Sequence, residues 1–161
     1  MPSGWSGKLW ALQQGLQHVK TPLVLLLDAD IELKPGIVGS LREHMQQHEV
    51  AFISLMAAPM MSNFWEKLLM PAFVYFFKLL YPFYLSNSGK SKVAAAAGGC
   101  ILMQSRLLDE IGGFAAIKNE LIDDCSLAKR IKSKGHKTWI RLTHSACSIR
   151  PYGNLGRSGI W

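Results

Sequence analysis

Cysteine is scarce, with Cys100, Cys125 and Cys147 the three in 161 residues. They lie far apart, form no CxxC or Cys/His spacing and leave one over for any pairing, which excludes a disulfide framework and a zinc finger. They read as reduced, buried thiols in a reducing compartment. Acidic residues are also few, 11 Asp and Glu against 18 Lys and Arg, giving a net charge of +7. That balance favours polyanionic partners, whether nucleic acid, an anionic lipid surface or phosphorylated small molecules, and does not choose among them. No run of about 18 uncharged apolar residues exists, so no segment reads as a simple membrane span. Residues 1–10 hold one Lys and no continuous apolar stretch of the kind a signal peptide needs. Internal repeats are absent. What is abundant is apolar material, 49% of the chain, enough for the core of one domain and too much for a disordered tail.

Leu9, Leu12, Leu16 and Val19 recur at helical spacing up to Lys20, where Thr21-Pro22 stops the helix. Leu23 to Leu27 is wholly apolar and bounded by Pro22 and Asp28, the pattern of a strand buried on both faces of a parallel sheet. Lys34-Pro35-Gly36 turns the chain into a second amphipathic helix ending near His48, and Val50 to Met56 reads as another strand. Helix alternating with strand predicts an α/β fold with a mostly parallel sheet sandwiched by helices. Ser86 to Lys92 (SNSGKSK) is linker-like and divides the chain into two lobes. Beyond it Gly99 to Met103 is strand-like, Ser105 can cap a short helix that Gly112-Gly113 ends, and a helix from about Asp123 to Lys134 closes with Gly135. Thr138 to Leu142 and Ser145 to Arg150 look like two further strands.

Two acidic pairs stand out. Asp28-Ala29-Asp30 follows the apolar strand, at the carboxyl end where open α/β sheets place ligands. Residues i and i+2 of an extended segment point the same way, so both carboxylates could face one hard divalent cation bridging the phosphates of a nucleotide diphosphate; the plainer reading is a solvated turn. Asp123-Asp124 opens a helix. Acids in a first turn complement the helix dipole, and adjacent carboxylates repel, which can raise the pKa of one and suit it to accept a proton from a hydroxyl. The five histidines, His18, His44, His48, His136 and His144, stand at no ligand spacing and read as structural. Arg141 and Arg150 could meet phosphates, and surface strand positions explain them as well.

Taken in order, Gly7 to Leu12 (GKLWAL), Leu27 to Asp30 (LDAD), Gly98-Gly99-Cys100 with Gly112-Gly113-Phe114, and Ile122 to Leu127 (IDDCSL) resemble the landmarks of family 2 glycosyltransferases of the GT-A type. Gly4 to Ala11, Pro71-Ala72-Phe73, Ala94 to Cys100 (AAAAGGC), Leu121 to Leu127 and Arg150-Pro151-Tyr152 resemble most the hopanoid-biosynthesis-associated members. The resemblance implies an inverting transfer from a nucleotide-diphosphate sugar to a lipid or lipid-linked hydroxyl, aided by Mn²⁺ or Mg²⁺, on the cytoplasmic face of a bacterial inner membrane. It implies that Lys8, Asp28, Gly98, Gly99 and Asp123 lie on the donor, Asp123 in a place often held by Glu. Asp30, with Asp28, would hold the metal, and Asp124 would be the catalytic base. Family members carry a strand and an acidic residue for the nucleoside base ahead of these landmarks and continue beyond them. The chain is therefore expected to be a partial fold without the first strand, truncated at both ends, with residues 1–62 as metal and donor lobe, 63–85 as aromatic helices and 93–161 as acceptor lobe.

Asn63 to Leu85 is crowded with aromatics and interrupted by Glu66, Lys67, Pro71, Lys78 and Pro82. Trp65, Tyr75, Tyr81 and Tyr84 with nearby lysines suit a helix lying at headgroup depth on a membrane surface, and a buried helix pair is the alternative. Two rival functions remain, a non-catalytic membrane-associated fragment and a basic nucleic-acid-binding module. Against the latter, the aromatics cluster with aliphatics instead of interleaving with Lys and Arg, and no nucleic acid is expected as partner.

Overall fold

In a computed structural model the described residues are 1–61, 63–120 and 122–149. In chain order they form α1 (Gly7–Leu16), β1 (Leu23–Leu27), β2 (Ile31–Leu33), α2 (Ile37–His48), β3 (Phe52–Ala58), α3 (Phe64–Leu80), α4 (Phe83–Ser86), β4 (Cys100–Gln104), α5 (Arg106–Ile111), a 3₁₀ turn (Phe114–Ile117), α6 (Asp123–Ser133) and β5 (Thr138–Ser148). The strands make one five-stranded sheet in the order β1-β4-β3-β5-β2.

Side chains alternate across this sheet as a two-residue period requires. Phe52, Ile101 and Met103 point to one face, where Leu9 of α1, Leu107 and Leu108 of α5, Phe114, and Leu127 and Ile131 of α6 complete a core. Ile53, Leu55, Cys100 and Leu102 point to the other face, which α2 covers with Leu41 and Met45. The result is three layers, helix on sheet on helix. Its central strands, β3 and β4, are the most deeply buried.

The α/β expectation holds, and the mostly parallel sheet does not. Of the four pairings only β3 with β5 is parallel; β1 with β4, β3 with β4, and β2 with β5 are antiparallel. The all-apolar run Leu23–Leu27 suggested a central strand covered on both faces, but β1 pairs with β4 alone among the described residues, and its side chains are half-buried to exposed. Apolar content reports how much cover a strand attracts and says nothing of its direction. A second difference concerns β5, one strand where two were expected. Its first part pairs with β3 as far as Thr143, an irregularity shifts the register between Ala57 and Ala58, and its last residues pair with β2. Arg150 and the following residues lie outside the described ones, as does Leu121.

The segment read as a linker is fastened down. The Asn87 side chain donates to the Ile140 carbonyl and accepts from its N–H, at 3.0 and 2.8 Å. The Lys132 ammonium of α6 donates to the carbonyls of Leu85, Ser86 and Val93. The buried Ser54 hydroxyl of β3 donates to the Ala97 carbonyl (2.9 Å) and accepts from the Ala97 N–H (2.8 Å). Residues 85–97 thus form a strap pinned to α6, β3 and β5. It delivers Gly98 and Gly99 to the end of the sheet.

α3 opens with a capping box in which Asn63 accepts from the Glu66 N–H and Glu66 accepts from the Asn63 N–H. The segment is not a buried helix pair, since most of its large apolar side chains face outward. No helix among the described residues is long and apolar enough to cross a membrane.

Replacing Lys132 by Met should remove a charged donor from three strap carbonyls and cost about 2 kcal/mol of stability. Urea denaturation measures it, and a variant as stable as the parent would show that the strap holds without this ammonium.

Candidate active site

α1 begins at a Ser6 cap whose hydroxyl accepts from the Leu9 N–H. Lys8 sits in the first turn, where the helix dipole disfavours a cation. What offsets this is on the neighbouring elements. The Lys8 ammonium lies 3.4 Å from Asp28 Oδ1, 3.6 Å from Asp124 Oδ1 and 3.9 Å from Asp123 Oδ2. Asp28 follows β1, its N–H donating to the Gly99 carbonyl (3.1 Å), and Asp123 and Asp124 form the first turn of α6. Acids at that end of α6 suit its dipole, so both helices present their N-terminal turns to one point.

Gly98 completes the arrangement by having no side chain. A Cβ there would stand 2.1 Å from Asp124 Oδ2, inside the carboxylate itself. Gly99 is packed against the Ile31 side chain, its own missing Cβ 3.3 Å from Ile31 Cδ1. The cleft so formed has a volume of about 280 Å³ and is lined by Lys8, Asp28, Ala29, Gly98 and Asp124 with apolar Leu12 and Ile101. A larger cavity of about 490 Å³ lies beside Thr21, Arg42, Gln46 and Gln104, and has none of the carboxylates. Chemistry, not size, assigns the site to the smaller one.

Five residues singled out from the sequence, Lys8, Asp28, Gly98, Asp123 and Asp124, therefore converge, with Gly99 behind them. Asp30 is placed differently. Residues 28–31 form a turn, closed by the Ile31 N–H donating to the Asp28 carbonyl at 3.1 Å, and not the extended segment that would aim both carboxylates alike. Asp30 Oδ2 accepts from the Ser148 hydroxyl (3.1 Å), and its carbonyl accepts from the Ile149 N–H (2.8 Å). Among the described residues no three of His, Cys, Asp and Glu are grouped to hold a metal ion. Ser148 and Ser54 were not foreseen; each meets its partner across a long stretch of chain, and no local spacing marks them.

Three of the histidines have structural partners, His44 stacking on Trp139 and His48, and His136 bonding Glu110 at 2.6 Å. Arg141 stands exposed on β5, and Arg150 and the Arg150-Pro151-Tyr152 motif fall outside the described residues. All three cysteines are free thiols, with Cys100 and Cys125 buried as expected and Cys147 only half-buried.

Three carboxylates around one ammonium leave negative charge in excess, and the electrostatics follow. Burial pulls Lys8 down, but the combined field of Asp124, Asp123 and Asp28 outweighs it, and its pKa is raised. Asp124 is pushed up to about 6, by burial first and by Asp123 and Asp28, against the opposing pull of Lys8. This carboxyl can hold or release a proton near neutral pH.

A folded-state value near 6 against an ordinary 3.8 means that between them the folded chain binds more protons than the unfolded one. The contribution of Asp124 to stability is thus lost as pH rises from about 4 to 6, by on the order of 2 kcal/mol. Urea denaturation at pH 4.5 and 7.5 should show this component in the parent chain and not in Asp124→Asn; identical pH dependence in both would contradict it. Gly98→Ala should displace the Asp124 carboxylate, so that its titration followed by NMR moves away from 6 while the fold persists.

The fold is similar to that of mannosyltransferase PcManGT from Pyrobaculum calidifontis, solved in complex with GDP-Man and Mn²⁺, with a TM-score of 0.63 at 20% identity. The likeness covers 91% of this chain and 37% of that one, so the chain spans little more than a third of that protein's length. No curated protein sequence matches. Residues 2–149 match the family described as Glycosyl transferase family 21, where the sequence landmarks resembled family 2. That match takes in every converging residue of the cleft, and the chain belongs to glycosyl transferase family 21.

Proposed function

We propose that this chain carries the reaction centre of a GT-A-type enzyme that moves a sugar from a nucleotide-diphosphate donor to the hydroxyl of a lipid or lipid-linked acceptor, with inversion. The observation that carries the reading is the convergence of Lys8, Asp28 and Asp124 against Gly98 in one cleft. Membership of a glycosyltransferase family supports it, and so does likeness in fold to a mannosyltransferase solved with a nucleotide sugar.

In this reading Asp124 is the general base. Its carboxylate takes the acceptor hydroxyl proton, the hydroxyl oxygen attacks the anomeric carbon, and the bond to the diphosphate breaks on the opposite side, which inverts the centre. A pKa near 6 leaves Asp124 mostly ionised at pH 7 and still basic enough to accept a proton. Gly98 lets the backbone approach the donor sugar, and Lys8 supplies positive charge toward the donor phosphates. Asp28 and Asp30 would supply the hard oxygen ligands that Mn²⁺ or Mg²⁺ takes; the chemistry of the two carboxylates suits such an ion, the turn between them does not aim them at one point, and the metal-bound state of the similar mannosyltransferase supports the assignment. Such an ion supplies charge neutralisation to the departing diphosphate. Ser148 holds the Asp30 carboxylate from β5. A hopanoid-type acceptor and a place on the cytoplasmic face of a bacterial inner membrane belong to the same proposal, supported by the outward-facing aromatic helix α3.

Calorimetric titration with GDP-mannose and UDP-sugars in the presence of Mn²⁺ tests the donor half. Binding is expected to need both the metal and Asp30, and to disappear in Asp30→Ala. Transfer should fall about 10²- to 10⁴-fold in Asp124→Asn with donor binding kept. A well-folded chain that binds no nucleotide sugar, or an Asp124→Asn variant with undiminished transfer, would sink the reading.

A further inference from the structure

The exposed face of α3 has an order that its composition does not reveal. Its nine large exposed apolar residues are Phe64, Trp65, Leu68, Leu69, Phe73, Tyr75, Phe76, Leu79 and Leu80. At about 100° per residue they all fall within one half of the helix circumference. Glu66, which is buried, and the half-buried Met70, Val74 and Phe77 occupy the other half, toward the body of the protein. Lys67 and Lys78 lie at the border between the two halves. A monomeric soluble surface rarely shows so many contiguous apolar groups, and Leu80 and Phe64 are 76% and 71% exposed.

Charge names the occupant. From Asn63 to Lys92 every exposed charge is positive, namely Lys67, Lys78, Lys90 and Lys92, while the single acid, Glu66, is turned inward in the capping box. A second copy of the chain would bring the same lysines face to face. An anionic bilayer complements both the apolar half and its basic border.

We propose that residues 64–92 are a docking element that lies in the plane of an anionic lipid surface, with the Phe64–Leu80 half-circumference in the headgroup region and the lysines on lipid phosphates. The inference deepens the lipid-acceptor reading by naming the partner of this face. It also fixes an orientation. The far end of the element is tied to α6 through the Lys132 ammonium, which donates to the carbonyls of Leu85, Ser86 and Val93. The docked helix and the helix that carries Asp124 therefore move as one, and the cleft is held at a set height above the bilayer.

Vesicle flotation of the 161-residue chain tests this, with phosphatidylcholine alone and with added phosphatidylglycerol. The chain should bind the anionic vesicles and leave the neutral ones. Lys67→Gln and Lys78→Gln should each weaken binding roughly fivefold, and the double variant Phe76→Glu/Leu80→Glu, at exposed positions that leave the core untouched, should abolish it. Equal binding to both vesicle types would overturn the anionic selectivity, and a double variant that still floats would overturn the docking face. A stable dimer by light scattering that the double variant dissociates would give the face to a second copy and overturn the proposal. Donor titration without vesicles separates the two readings, since a chain that binds donor and ignores bilayers loses this proposal alone.

Discussion

One ammonium group gathers the working end of this protein. Lys8 stands near the start of the chain, and the carboxylates around it come from the end of β1 and from the start of α6, more than a hundred residues later. The contact links α1 to α6, across a sheet whose strands come from both halves of the sequence. It leaves a deliberate imbalance, since one positive charge cannot satisfy three negative ones, and the surplus falls on Asp124. A site that has room for more positive charge is one that can receive a cation or give up a proton, which are the two operations the proposed chemistry asks of it.

The uncharged neighbours make this imbalance sustainable. Gly98 lets the backbone run against the Asp124 carboxylate, and Ser54 fixes the segment before it by both giving and accepting a hydrogen bond at Ala97. A hydroxyl in the middle of a buried strand thereby both donates and accepts, and the strap cannot drift without breaking both bonds. The precision of the cleft is set by this one buried side chain as much as by the charged groups.

Much of this was legible in the residues. The helix from Asp123 and the strand ahead of Asp28 could be read from local pattern, because capping, periodicity and apolar runs are local signals, whereas the grouping of Lys8, Asp28, Gly98 and Asp124 came from the resemblance of the ordered landmarks to a glycosyltransferase family. Strand direction was not legible. β1 looked central because it is all leucine and valine, yet it pairs with β4 alone among the described residues and is only half-covered. Nor was the separation of Asp28 from Asp30, since their spacing fits an extended strand and a turn equally well and only the Ile31-to-Asp28 hydrogen bond decides. The Ser148 partner of Asp30 depends on β5 arriving beside β2, a fact of topology with no trace in spacing. On the aromatic segment, composition left two readings, and exposure removed one of them.

The strand order also bears on how the molecule comes into being. Among the described residues no hydrogen-bonded pair of strands is joined by a hairpin; β3 takes as neighbours β4 and β5, both far downstream, and β2 waits for β5. Contacts of that span are slow to form, because a long loop must close before any pairing rewards it. During synthesis β2 and β3 must therefore wait with their edges unpaired while the greasy helix α3 leaves the ribosome ahead of β4. A lipid surface or a chaperone nearby at that moment would shelter α3, and the cleft would be complete only once α6 had followed.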